Sequence, residues 1–134
     1  MNRVSMKNVQ QAFSQAIRQR DCICMIRDNE PCFGELQCSH FFTQGSSPSL
    51  MFYPMNAYAQ CSRHHWNHHN KKECKNVYFN FMKDYHHDEL AFMNRNRNKS
   101  IRYTNDLKRK IIKLCRENRL EDLRDLVRAE LEKA

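Results

Sequence analysis

Apolar residues recur at helical intervals in four stretches of the chain. From Ser5 to Arg20, Val9, Phe13, Ala16 and Ile17 fall on one helical face, and Ser5 stands where an N-cap belongs, so a helix is predicted over 5–20. Val77, Phe81 and Tyr85, four apart, predict a second helix from about Lys75. Thr104 is placed to cap a third, through Leu107, Ile111 and Leu114. Leu120, Leu123, Val127 and Leu131 continue the pattern, a stripe that reads as core or as a helix-pair seam. Between the first two helices the pattern changes. Short apolar pairs alternate with turn residues from Asp21 to Cys38, as short strands and loops do. Gly45-Ser46-Ser47-Pro48 marks a loop, Leu50-Met51-Phe52-Tyr53 reads as a strand, and Pro54 closes it. A further helix is predicted from Ser62 through a run of histidines, breaking near Asn70.

With 134 residues, the chain has the length of one domain. It divides into an N-terminal helix (5–20), a central core (21–75) and a helical C-terminal extension (76–134). Only 2 Gly and 3 Pro against 28% charged residues suit helices joined by short loops. MNRVSMKNVQQAF lacks the apolar core of a signal peptide, and no run approaches the ~20 apolar residues of a membrane span. A soluble, intracellular protein with no membrane partner is expected.

Charge bears on partners. The net charge is +8, and residues 1–103 hold 14 basic and 8 acidic side chains against 9 and 7 in the remainder. A polyanion such as nucleic acid is therefore expected to bind the first three-quarters of the chain. Arg63, Lys71, Lys72 and Lys75 surround the histidine run, and Arg95, Arg97, Lys99 and Arg102 form a second basic stretch.

Seven cysteines and seven histidines in a chain of this kind point to metal before disulfides. Cys61-Ser62-Arg63-His64 is a C-x2-H pair at a helix start, and both side chains can reach one tetrahedral Zn²⁺. Two further ligands must come from Cys22, Cys24, Cys32 and Cys38. Cys24 and Cys32 are preferred because they bracket the polar stretch MIRDNEP, a knuckle-like loop. Cys38 reads as a strand residue, and Cys74 and Cys115 as packed helix thiols. The histidines that follow form two i,i+4 pairs, His64/His68 and His65/His69, about 100° apart around the helix. One pair can therefore serve the zinc while the other serves a separate metal.

The order of a cysteine-rich loop, LQCSH ending at His40, GSSPSLMF, Asn56 and C-x2-H-H resembles the motif of the HNH (ββα-metal, His-Me finger) endonucleases. SHFFTQGSSPSLMFYPMNAYAQC is similar to the phage recombination endonucleases called NinG or Rap, and QQAFSQAIRQRDC to the helix that leads into their first knuckle. The resemblance spans Val9 to Asn70. It implies an α+β, mainly helical fold with a zinc-stabilised, treble-clef-like ββα-metal core and flanking helices. It also implies phosphodiester hydrolysis on DNA, with branched or single-stranded recombination intermediates as substrates, in a bacterial or phage-infected cytoplasm. His40 takes the place of the general base, Asn56 of the residue that holds the loop, and His65 of the ligand to a catalytic Mg²⁺ or Mn²⁺, with His69 as a second ligand. Cys24, Cys32, Cys61 and His64 take the structural zinc. Ser39 stands where many HNH sequences place an aspartate or histidine ligand, and NinG-like sequences also lack an acid at that point. A homodimer is expected of a junction-cleaving enzyme, and the Leu120–Leu131 stripe is one candidate interface. The rival reading is a zinc module that binds DNA or protein without catalysis; a third is a metal-handling protein.

Overall fold

The computed structural model describes residues 3–134, and its elements are α1 (Met6–Asp21), β1 (Leu36–His40), β2 (Ala57–Cys61), α2 (Ser62–Asn70), α3 (Lys75–Tyr85), α4 (His87–Asn96), α5 (Asn105–Arg116) and α6 (Leu120–Lys133). The architecture is α+β and mainly helical, with a single antiparallel pair of strands among the described residues. Among those residues no helix is long and apolar enough to cross a membrane.

Local chemistry sets each boundary of α1. Ser5 Oγ accepts the Asn8 amide at 3.1 Å and satisfies one of the free N–H groups of the first turn. Val9, Ala12, Phe13, Ala16 and Ile17 are buried, the face that periodicity predicts. The helix ends where Cys22 turns left-handed at φ 64° and returns its N–H to the Arg18 carbonyl. Arg20 then donates to the carbonyls of Pro54 and Ala57, and Asp21 accepts the Ala59 amide at 2.8 Å. These bonds fix the end of α1 against β2.

The hairpin pairs Leu36 with Cys61 and His40 with Ala57. Outside β2 the 22–26 segment runs alongside, with the Met25 amide on the Ala59 carbonyl and Gln60 Nε2 on the Ile26 carbonyl. That path carries Cys24 to the side of Cys61. Apart from Leu36–Cys38, the stretch from Cys22 to Cys38 forms no strand.

The predicted strand Leu50–Tyr53 is not formed. Pro48 and Pro54 each begin a short 3-10 turn, Pro48–Leu50 and Pro54–Asn56, because proline fixes φ near a helical value and needs no donor there. Leu50, Met51, Phe52 and Tyr53 are buried nonetheless. The apolar run is core without being ladder, and the second strand begins only at Ala57.

α3 also differs from its predicted face. Tyr78 and Met82 are its buried residues and Tyr85 is exposed, so the core face lies one residue on from Val77–Phe81–Tyr85. A separate helix, α4, follows α3; it buries Leu90, Met93 and Asn96 and carries Arg95 of the second basic stretch. Thr104 Oγ1 caps α5 by accepting the Leu107 amide, and Leu107, Ile111 and Cys115, rather than Leu114, are buried. Leu123, Val127 and Leu131 of α6 are fully covered within the chain. Three of the four stripe positions thus pack within this chain, and Leu120 is only partly covered. Arg128 ties α6 to α4 through both Glu89 oxygens at 2.9 and 3.0 Å and reaches the Tyr53 hydroxyl.

Candidate metal centre and active site

Cys24, Cys32, Cys61 and His64 bring their ligand atoms within 4.8 Å of one another. Cys24 Sγ and Cys32 Sγ stand 3.4 and 3.7 Å from His64 Nδ1. A tetrahedral zinc with Zn–S about 2.3 Å and Zn–N about 2.0–2.1 Å requires S···N edges of roughly 3.6 Å. The four residues thus form a set that could hold one metal ion, and its soft donors match zinc. These are the four ligands expected from the sequence.

Each ligand is positioned by a local device. Cys61 is the N-cap of α2, its Sγ accepting the His64 amide at 3.4 Å. Burial pushes the Cys61 thiol up, but the backbone at His64 and Phe33 and the Cys24 and Cys32 thiols outweigh it, so the net direction is down. Burial pushes the Cys24 thiol the other way, up to about 12. Gly34 turns the chain after Cys32 at φ 87°, and a Cβ there would lie 1.7 Å from Ser62 Oγ. That close approach lets the Phe33 carbonyl accept from both Ser62 Oγ and the Arg63 amide.

His64 uses Nδ1 toward the thiols because Nε2–H donates to the Glu30 carbonyl at 2.7 Å, with Asp28 Oδ1 at 3.2 Å. Asp28 is held in turn by the Glu30 amide and by Asn67 Nδ2. Burial raises the Asp28 carboxyl, yet these donors and Cys74 outweigh it and hold it low. A carboxylate behind a ligating imidazole fixes its tautomer and orientation. The sequence reading missed Asp28; its position inside the bracketing loop was the available signal. The remaining cysteines lie outside the set. Cys22 is exposed, and Cys38, Cys74 and Cys115 are packed.

The other α2 histidines point elsewhere. His65 Nδ1–H donates to Gln37 Oε1 at 2.7 Å and leaves Nε2 as a lone pair. The His65 and His69 rings lie 4.8 Å apart and line one hollow with Gln37, Ser62, Trp66 and Asn70. Burial first, then the charges of His69, His68 and His40, push the His65 imidazole down to about 4. His68 turns inward against Tyr78, and its Nδ1 is buried without a partner.

His40 lies on β1, stacked on Phe13 with ring centroids 5.7 Å apart. Its Nε2–H donates to the Met51 carbonyl at 2.8 Å, leaving Nδ1 as the acceptor, 3.5 Å from Gln44 Nε2. Burial lowers its pKa below the ordinary value, opposed by the Met51 bond. His40 and Cys38 line a hollow against α1, whereas Gln37 lines that of His65. Adjacent strand residues face opposite sides of a sheet, so His40 and His65 line different hollows, yet they lie near enough for the charge of His40 to act on His65. Asn56 is wholly buried; Nδ2 donates to the Phe42 and Leu50 carbonyls at 3.0 and 3.1 Å, and Oδ1 accepts the Phe42 amide at 2.8 Å. It closes the loop that carries Met51 to His40. Ser39 is buried and its Oγ has no partner.

No protein-family model, curated protein or solved structure matches the chain. The site therefore stands on its own geometry.

The nominated cations divide by partner. Lys71 pairs with Glu30, and Arg63 lies over the Phe33 ring and donates to the Pro31 carbonyl. Arg97 covers the Phe42 ring, and Lys99 donates to the Leu131 carbonyl near the end of α6. Lys72, Lys75, Arg95 and Arg102 are exposed.

Proposed function

We propose that this chain is a metal-dependent DNA endonuclease of HNH type, acting on branched or single-stranded recombination intermediates. The observation that carries the reading is the division of labour among neighbouring histidines on α2. His64 is committed to the cysteine set, while His65 and His69 face one hollow with Gln37, Ser62 and Asn70.

The chemistry follows from the donor atoms. His40, with Nε2–H on a carbonyl and its pKa lowered by burial, is neutral at neutral pH and takes a proton at Nδ1 from the attacking water. Asn56 and the Met51 carbonyl hold that imidazole at a fixed angle. His65 Nε2 and His69 would hold a divalent cation, which supplies charge neutralisation at the phosphate. No carboxylate lines their hollow; both Mg²⁺ and Mn²⁺ favour oxygen ligands, and of the two Mn²⁺ accepts imidazole more readily. Zinc in the Cys24, Cys32, Cys61 and His64 set is structural, since protein donors fill all four positions. Lys72 and Lys75 flank α2 and are free to meet phosphates.

The rival reading, a zinc module that binds without cutting, is favoured by one observation: His40 and His65 line different hollows. Plasmid and branched DNA incubated with the purified protein across a Mn²⁺ and Mg²⁺ series separates the two. The nuclease reading expects cleavage that rises with metal and is lost in His65→Ala at unchanged zinc content. Cleavage equal in both proteins at every metal concentration leaves only the binding module.

A further inference from the structure

The hollow that holds His40 has a second wall, and that wall is chemically uniform. α1 turns Val9, Phe13, Ala16 and Ile17 inward. Lys7, Gln11, Ser14 and Arg18, spaced by four, three and four residues, line the hollow along one stripe. Every one is a hydrogen-bond donor, and no aspartate or glutamate lines the hollow. Lys7 and Arg18 are exposed. Among the described residues Lys7 has no ion-pair partner, and Arg18 spends only its Nε, on the Ser14 carbonyl and hydroxyl at 3.3 Å. Gln10 ties the stripe to the His40 side by donating to Gln44 Oε1 at 2.9 Å.

We propose that this face of α1 is a track for the sugar–phosphate backbone of the substrate strand, with Lys7 and Arg18 each meeting a phosphate and Gln11 and Ser14 donating between them. Eleven residues of helix extend about 16 Å, roughly the span of four or five nucleotides of one strand at 3.4 Å each. A backbone on this track passes His40. The basic stretches read from the sequence do not include it, because two cations spread over three turns leave no charge run. The proposal deepens the nuclease reading by assigning the strand's path, and rests on it for the identity of the polyanion.

The test is binding, measured without added divalent metal so that cleavage does not enter. Fluorescence anisotropy of labelled single-stranded, duplex and branched DNA over a series of KCl concentrations gives the slope of log affinity on log salt. Lys7→Ala/Arg18→Ala is compared with Lys110→Ala/Lys113→Ala on exposed α5 positions, which removes equal charge elsewhere. The track expects the first pair to flatten the slope by about 1.8 for duplex or 1.4 for single strands, at 0.9 or 0.7 per phosphate lost, and the second pair to leave it within error. Lys7→Arg/Arg18→Lys should keep the wild-type slope. An unchanged slope in the first pair, or equal flattening in both, overturns the proposal. A flattened slope in a protein that never cleaves DNA keeps the track and removes the nuclease; cleavage with an unchanged slope does the reverse.

Discussion

His40 and Asn56 show what single residues do here. Burial lowers the His40 pKa, so the neutral form persists below the ordinary value near 6.5. Rate limited by this base should hold its plateau as pH falls past 6.5 and decline only beneath it; a midpoint at or above 6.5 in a pH–rate profile would contradict the assignment. Stability has the same sign. The unfolded chain binds the proton first, so the contribution of neutral His40 is fully present above 6.5 and is lost as pH falls from there through the lower folded value. Asn56 offers a larger effect. Replacing it with alanine strands the Phe42 amide and removes the donor to two carbonyls, at a cost of about 2 kcal/mol or more. Chemical denaturation should report that loss; a change under about 0.5 kcal/mol would mean that the loop does not depend on it.

At the scale of elements, the turn after Cys32 and the start of α2 are one construction. Gly34 at positive φ lies against Ser62, whereas a Cβ on Gly45 would meet nothing within 4 Å. Gly34→Ala should therefore weaken zinc retention against a chromogenic chelator, while Gly45→Ala should not; equal retention would show that the turn can relax. Legibility in the sequence follows the same division. The four residues that could hold zinc were readable because C-x2-H on a helix start and a bracketing loop are local geometry. So were the α1 face and the caps at Ser5 and Thr104. Leu50–Tyr53 was not, since a short apolar run is equally consistent with a strand and with buried irregular chain, and two prolines six residues apart decided it. The α3 face was misjudged because aromatic residues occupy both Val77–Phe81–Tyr85 and Tyr78–Met82. Asp28 behind His64 and Gln37 behind His65 join segments far apart in the chain, which periodicity does not register.

In the whole molecule, a core running from Val9 to Leu131 supports a cysteine–histidine set that gathers loop 22–34, β2 and α2. Structural zinc in such sites carries apparent binding free energies on the order of 10 kcal/mol, comparable with the entire stability of a domain. Chelation should therefore melt the 22–70 region, read by hydrogen exchange, ahead of α5 and α6; uniform protection after zinc loss would place the stability elsewhere. Charge is segregated as well. α5 carries five basic and one acidic side chain and α6 three and five, so the near-neutral balance of the C-terminal quarter conceals a basic helix packed beside α1. On the proposed function, His40 works as a base on DNA. Single-turnover cleavage of labelled branched DNA by wild type and His40→Gln, at matched zinc content and with Mn²⁺, tests it most directly. Loss of the base should cut the rate about 10²-fold or more with DNA affinity retained; equal rates would show that His40 is not the base.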